Sequence, residues 1–261
     1  MSTSRCVPAH ITDFWIPKRH DACVLIPLIN EGERIRSLVR RMHALGIHTQ
    51  ADIIFVDGGS KDGSLERSLH EPLGVRGCVT KTGPGKLSAQ LRCGYAMALD
   101  EGYEHIITID GNDKDDPEAI PRFILALREG IDFVQASRFV RGGIAENTPF
   151  VRWIAIRLIH APALSVASGF WWTDTTQGFR AYSRRLLIDP RVDIFRDCFS
   201  RYELLAYLSY RAPRLKFRCL ELPTARRYPA EGKIPTKISA IRGNWDLIAT
   251  LCKTCFGRYN P

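Results

Sequence analysis

The chain of 261 residues lacks internal repeats, low-complexity tracts and any obvious linker, which leaves one compact domain with a C-terminal extension as the simplest organisation. Its start, MSTSRCVPAHITDFW, has neither the basic residues nor the continuous apolar stretch of a signal peptide, so no export is expected. A disulfide framework is missing too. The eight cysteines (Cys6, Cys23, Cys78, Cys93, Cys198, Cys219, Cys252 and Cys255) are scattered and several sit inside apolar runs, the pattern of reduced thiols in a cytosolic setting. Cys252-Lys-Thr-Cys255 has no second pair and no histidine at zinc-finger spacing, and ordinary packing is its expected role. No uninterrupted membrane-spanning run is visible either. Between Phe150 and Trp172 the apolar sequence is broken by Arg152, Arg157, His160 and Pro162, leaving less than the ~20 residues a spanning helix requires.

What is present is a hydrophobic content of 45%, enough for a core, and 37 Lys+Arg against 28 Asp+Glu, a net charge of +9. That balance favours a polyanionic partner: nucleic acid, an anionic membrane face or a phosphorylated substrate. The arginines are spread over several helical patterns rather than forming a stripe or a recognised motif, so nucleic acid is not expected.

The first half alternates short β-rich runs with helical patterns, the mark of βαβ units and a mostly parallel sheet. Cys23-Val24-Leu25-Ile26 reads as a buried strand; Ile35, Leu38, Val39, Met42 and Leu45 then recur at helical spacing, with Arg34, Arg36, Arg40 and Arg41 on the other face. Further strands are expected over 52–56, 75–80 and 105–109, and a helix over 87–99. Asp116 reads as an N-cap with Pro117 at the first helical position, and Asp62 as a cap for the helix after it. In open α/β sheets ligands bind beyond the strand carboxyl ends, so 27–31, 57–62, 83–86 and 110–116 should meet at one crevice. The segment 150–172, with Trp153, Phe170, Trp171 and Trp172 among arginines, fits either a core helix pair or a segment in a membrane interface. Ile238, Ile241, Trp245, Ile248, Leu251 and Cys252 give the C-terminal stretch an amphipathic spacing.

Chemistry concentrates in Thr108-Ile109-Asp110-Gly111-Asn112-Asp113, with Asp115 and Asp116 close behind. Residues i and i+2 of an extended segment face the same way, so Asp110 and Asn112 can offer two oxygens to one hard divalent cation. Magnesium or manganese there would bridge a diphosphate and neutralise charge on a nucleotide leaving group; the alternative is a polar loop whose acids cap the next helix. Asp57, in VDGGSKDGS, can take a sugar hydroxyl or base edge, and Glu31 can do similar work after Pro27-Leu28-Ile29-Asn30. At Gly83-Pro84-Gly85-Lys86 a Walker A loop fails, because Thr80 and Leu87 stand where glycine and Ser/Thr are needed. Lys86 and the following helix start can still receive a phosphate.

Taken together, these motifs resemble a family-2 glycosyltransferase of GT-A fold, closest to the polyprenyl (dolichyl) phosphate sugar synthases. The resemblance rests on Ile26 to Glu31, Val56 to Ser64, Gly83 to Lys86, Asp110 to Pro121, Ser137-Arg138, Gly178-Phe179-Arg180 and Arg227 to Lys237, in that order over residues 22 to 240. It implies an α/β fold, a Rossmann-like mostly parallel sheet flanked by helices, in a single domain: an N-terminal extension over 1–20, the catalytic domain over 21–235 and an amphipathic helix over 236–261. It implies an inverting, metal-dependent transfer of a hexose from a nucleotide diphosphate sugar to a polyprenyl phosphate, by an enzyme peripheral on the cytoplasmic face of a membrane. Pro27, Asn30, Glu31, Asp57, Lys86 and Asp110 would bind the nucleotide sugar, Asp110 and Asn112 would hold Mg2+ or Mn2+, and Arg138, Arg180, Arg227 and Lys237 would clamp phosphate. Asp174 would orient the acceptor, act as a base toward a hydroxyl, or hold Arg180 by an ion pair. Two departures stand out: Gly58 and Asn112 replace the family's usual aspartates, and the lost charge at Asn112 should weaken the metal site unless Asp113 or Asp115 compensates. The rival readings are a family-2 transferase acting on a hydroxyl of a lipid-linked acceptor in surface glycan synthesis and, more remotely, a non-catalytic binder of nucleotide sugar or nucleic acid.

Overall fold

A computed structural model of the chain describes residues 5–229 and 242–261. The chain opens with β1 (His10–Trp15) and β2 (Ala22–Leu28), then α1 (Glu33–Ala44), β3 (Asp52–Asp57), the short α2 (Arg67–His70), β4 (Val75–Lys81), α3 (Leu87–Asp100) and β5 (His105–Thr108). There follow α4 (Ile120–Arg128), β6 (Phe133–Ser137), β7 (Ile144–Glu146), a helical run of α5 (Phe150–Ile154), a π-helical stretch (Ala155–His160) and α6 (Ala161–Ser168), then β8 (Arg180–Ser183) and α7 (Arg184–Ile188). The chain ends with α8 (Glu203–Arg214), β9 (Cys219–Pro223), β10 (Ala225–Arg227) and α9 (Arg242–Cys255).

One sheet runs in the order β1-β4-β3-β2-β5-β8-β6-β9, with β1 and β8 antiparallel to their neighbours and the other pairs parallel. The near-continuous apolar sequence of β2 follows from its central place, covered on both faces. Alternate residues serve opposite sides: Leu25 joins the core beneath α3 and α8, while Val24 and Ile26 join the core beneath α1 and α4. Helix α3 comes close to the sheet because Gly94 has no side chain; a Cβ there would stand 2.8 Å from a Val56 methyl.

Residues 10–15, expected as part of an N-terminal extension, form an edge strand of the sheet. Arg76 secures this edge, its guanidinium 4.4 Å from the centre of the Trp15 ring and its Nε donating to Ile16 O at 2.8 Å. The segment from 150 to 172 is core at one end and exposed along much of its length. Trp172 is core, its indole N–H donating to Ser209 O at 3.1 Å, whereas Phe150, Trp153, Leu158, Val166 and Trp171 face solvent. The 19 residues of Phe150–Ser168 form one run long and apolar enough, by length and composition, to cross a membrane, a length the sequence reading did not allow it. Its α6 half nevertheless packs against α8 and α9, so it lies along the side of the domain.

Candidate active site

The loops after β2, β3 and β5 are stitched together at the carboxyl ends of their strands. Asp57, the last residue of β3, closes its own turn by accepting from Gly59 N at 2.9 Å, Ser60 N at 2.9 Å and Ser60 Oγ at 2.6 Å. Asn30, in the left-handed region at φ 48°, accepts from Lys61 N at 2.8 Å, and its own N–H donates to Ser60 Oγ at 2.9 Å. Pro27 lies within β2, and Glu31 is held by Arg34 at 2.7 Å. Asp62 does not cap the helix that follows it. It accepts instead from Ser64 N and from the N–H of Gly32, the N-cap of α1, so it stabilises the preceding helix. Lys86 is exposed at the N-cap of α3, 5.8 Å from the Tyr202 ring centre.

The acidic turn after β5 is divided among different partners. Asp116 caps the next element as expected, accepting from Glu118 N at 3.3 Å. Asp113 pairs with Arg41 of α1 at 2.7 Å, and Asp115 is buried against Arg226, whose Nη1 reaches its two oxygens at 2.5 and 2.7 Å. The other nitrogen of that guanidinium, Nη2, lies 3.2 Å from Asp110 Oδ2. Burial opposes the charge on Arg226, but Asp115, Asp110 and Tyr228 outweigh it and hold the guanidinium firmly protonated. Asp110 also packs on Gly178, where a Cβ would fall 2.1 Å from Oδ1; Thr108 Oγ1 fixes that glycine by donating to its carbonyl at 2.8 Å.

Cations gather around Tyr228. Its phenol oxygen accepts from Arg152 at 3.0 Å and Arg138 at 3.4 Å, and Lys114, Arg152 and Arg226 stand 5.3, 5.7 and 5.9 Å from its ring centre. Burial alone would raise this phenol, but Arg226, Arg152 and Arg138 prevail and bring it down to about 8. Arg138 is gripped from behind by Asp174, Nε to Oδ2 at 2.7 Å and Nη2 to Oδ1 at 3.1 Å. Asp174 thus pairs with Arg138 rather than Arg180. Burial opposes its charge, yet the Arg138 guanidinium and the Gln177 amide keep the carboxyl below the usual range. Glu221 of β9 accepts from Thr173 N, Thr173 Oγ1 and Asp174 N at 2.8 to 3.0 Å, fixing the backbone that carries Asp174.

Not all the expected phosphate ligands join this cluster. Arg180 is fully buried and spends its donors on Gln177 O, Thr175 O and Leu205 O, so it shapes the loop that carries Asp174 instead of facing a ligand. Arg226 of β10 and Tyr228 just beyond it turn inward, whereas Arg227 between them turns outward and pairs with Glu146 at 3.1 Å. Lys237 lies outside the described residues. Arg152, Arg226, Tyr228 and Glu221 were missed by sequence reasoning, although the alternation of Arg226-Arg227-Tyr228 carried a signal once β10 was known to be a strand.

The pattern of Glycosyl transferase family 2 matches residues 23–189, more than half of the chain. The chain belongs to this family. Among similar proteins, polyprenol monophosphomannose synthase of Mycolicibacterium smegmatis is 30% identical over 77% of this chain and 75% of its own length. Undecaprenyl-phosphate mannosyltransferase of Micrococcus luteus is 28% identical over 76% of this chain and 80% of its own. The fold resembles that of glucosyl-3-phosphoglycerate synthase from Mycobacterium tuberculosis, solved in complex with Mn2+, uridine-diphosphate and phosphoglyceric acid, with a TM-score of 0.59 at 21% identity over 90% of this chain and 78% of that one. The fold is GT-A, and the chain is a glycosyltransferase.

Within this transferase, Asp110 and Asn112 are the oxygen donors nearest the β5 terminus. Among the described residues no group of three or more acidic, histidine or cysteine side chains converges into a cage. A carboxylate and an amide carbonyl still suit a hard cation that takes its remaining ligands from phosphate and water, the usual habit of Mg2+. Asn112 now turns its amide nitrogen toward Asp110, at 3.5 Å, so that carbonyl would have to rotate. The residues therefore fit an ion shared with a diphosphate.

Proposed function

We propose that this transferase moves a hexose, with inversion, from a nucleotide diphosphate sugar to a polyprenyl phosphate at the cytoplasmic face of a membrane. The observation that carries the reading is the meeting of Asp110 with Arg138, Arg152 and Arg226 around Tyr228, a carboxylate edge beside a cationic wall. The acceptors named for the two relatives, polyprenol and undecaprenyl phosphates, support the same chemistry.

The loops carrying Pro27, Asn30, Glu31 and Asp57 receive the nucleotide and sugar, and Lys86 at the start of α3 takes a phosphate oxygen. A divalent ion, Mg2+ or Mn2+, held by Asp110 and Asn112 would supply the positive charge that stabilises the departing diphosphate. Arg152 holds the acceptor phosphate and aims its oxygen at the anomeric carbon, while Arg138, buried behind it on Asp174, adds positive charge to the wall. A phosphate is already anionic and needs no base. This agrees with Asp174, which is committed to Arg138 and acts by positioning. Arg227 adds charge at the rim.

The acceptor's lipid tail requires an apolar surface, and α6 with α9 offers one: Leu158, Ile159, Val166 and Phe256 border a shallow groove, with Phe150 and Trp171 exposed on the same helical run and the turn after it. His160, in the middle of that run, bonds Thr175 Oγ1 at 2.6 Å and so joins this surface to the Asp174 loop. Arg157 on the run suits an anionic bilayer.

The test is a panel of labelled nucleotide sugars with a short polyprenyl phosphate, with and without Mg2+ or Mn2+, for the wild type and Asp110→Ala. Metal-dependent transfer that Asp110→Ala abolishes is expected. A variant equal to wild type in rate and metal response would remove the acidic turn from the mechanism, and transfer to a lipid-linked sugar but not to polyprenyl phosphate would replace the acceptor.

A further inference from the structure

We propose that Arg226 is an internal counter-cation that competes with a divalent ion for Asp110, so that ion and nucleotide diphosphate bind the enzyme together rather than singly. The inference rests on the reading above, in which Asp110 is a ligand of that ion.

Arg226 is not a loose surface side chain. Its backbone is fixed by the parallel pairing of β10 with β7 and by the bridge between Asp115 and Arg226, while the next N–H, of Arg227, donates to Lys114 O at 2.9 Å. Its guanidinium is buried and forked: Nη1 takes both oxygens of Asp115 and Nη2 lies 3.2 Å from Asp110 Oδ2. A divalent ion seeking that oxygen meets a fixed positive charge beside it and must replace a charge-assisted hydrogen bond.

The remaining residues of the turn do not restore the missing attraction. Asn112 brings no charge, Asp113 is paired with Arg41, and Asp116 caps the next element. The two negative charges of Asp110 and Asp115 are already met by Arg226 and by the buried Lys114 beside it, so the ion finds little net attraction. A nucleoside diphosphate brings further negative charge, which both the ion and Arg226 can share. Binding of either ligand then strengthens binding of the other, and the coupling is reciprocal.

The experiment measures Mn2+ binding by electron paramagnetic resonance, in the full chain, with and without a nucleoside diphosphate (UDP or GDP). Wild type, Arg226→Gln, Arg226→Lys and Asp110→Asn are compared. Without nucleotide, Arg226→Gln should bind Mn2+ about tenfold more tightly than wild type, a change expected from removing one screened charge at this range. Arg226→Lys should stay near wild type, and the enhancement of Mn2+ binding by nucleotide should shrink in Arg226→Gln. If Arg226→Gln matches wild type while Asp110→Asn loses Mn2+, the counter-cation proposal is overturned and the ion site stands. If Asp110→Asn binds Mn2+ as wild type does, the ion site lies elsewhere and both readings fall. Should Arg226→Gln not fold, 15N-arginine spectra of the wild type decide. The guanidinium signal absent from Arg226→Lys should shift when Mg2+ and nucleotide are added, and an unmoved signal with ligands bound overturns the proposal.

Discussion

Arg138 and Asp174 form a two-pronged ion pair in which both side chains are withdrawn from solvent, at 1% and 0% exposure. Two charges buried together depend on each other, and removing one partner typically costs about 3–5 kcal/mol because the other is left uncompensated. Asp174→Ala should therefore lower stability by about that much, and Arg138→Met by a similar amount. The double variant should cost less than the sum, a coupling that urea denaturation of the four proteins measures. The pH dependence has a definite sign. The folded Asp174 carboxyl lies below its unfolded value, so its stabilisation is complete above the unfolded pKa of about 3.9 and is lost as pH falls through the lower folded value. Acid unfolding monitored by circular dichroism should lose this component in Asp174→Asn.

Gly178→Ala should separate folding from catalysis. The new methyl would enter the space of Asp110 Oδ1, 2.1 Å away, and the carboxylate rather than the strand is free to give. Overpacking of this kind costs about 1–3 kcal/mol. A folded protein with transfer reduced about tenfold or more is expected, read by a thermal melt beside a transfer assay. A rate equal to wild type would show that the placement of Asp110 does not matter to the reaction.

The parts of this site readable in the sequence were those built on central parallel strands. Strands β2 to β5 are covered on both faces, so they appear as short apolar runs, and the loops after them carry Asn30, Asp57 and Asp110 at predictable places. Strand β1 was not readable because it is an edge strand with a mostly exposed surface. Of the cationic wall only Arg138 was legible, through the Ser137-Arg138 motif. Arg226 is a buried charge, and burial of a charge depends on partners distant in sequence, as Arg226 depends on Asp115 and Arg138 on Asp174. In a strand of three residues, nothing local says whether Arg226 or Arg227 turns inward.

Glu221 gives the fold a second pH dependence, opposite in sign to that of Asp174. Burial pushes its carboxyl up to about 7, despite the N–H groups of Asp174 and Thr173 and the Thr173 hydroxyl that favour the anion. Folded protein then holds a proton that unfolded protein releases at about 4.3, so stability should decline as pH rises from there to about 7 and level off above. Glu221→Gln should flatten that decline in a series of thermal melts. An unchanged slope would assign the titration to another group.

The apolar surface along α6 and α9 makes the last prediction. Leu158 is 64% exposed and Val166 88%, on a helix run whose other face is held by α8 and α9. A folded chain gains nothing from apolar side chains left in water, whereas moving one into an acyl environment is worth about 1.5–3 kcal/mol. Replacing both with aspartate should leave the melting temperature nearly unchanged, because neither is core, yet reduce binding to anionic vesicles about a hundredfold if each loses about 1.5 kcal/mol. Flotation with phosphatidylglycerol vesicles reads the difference. Transfer to a water-soluble short-chain polyprenyl phosphate should survive in the same variant, since Arg138, Arg152 and Asp110 are untouched, while transfer to a long-chain acceptor embedded in vesicles should fall with the binding. Equal flotation of the variant and wild type would detach this surface from the membrane and leave the acceptor's tail without a place on α6.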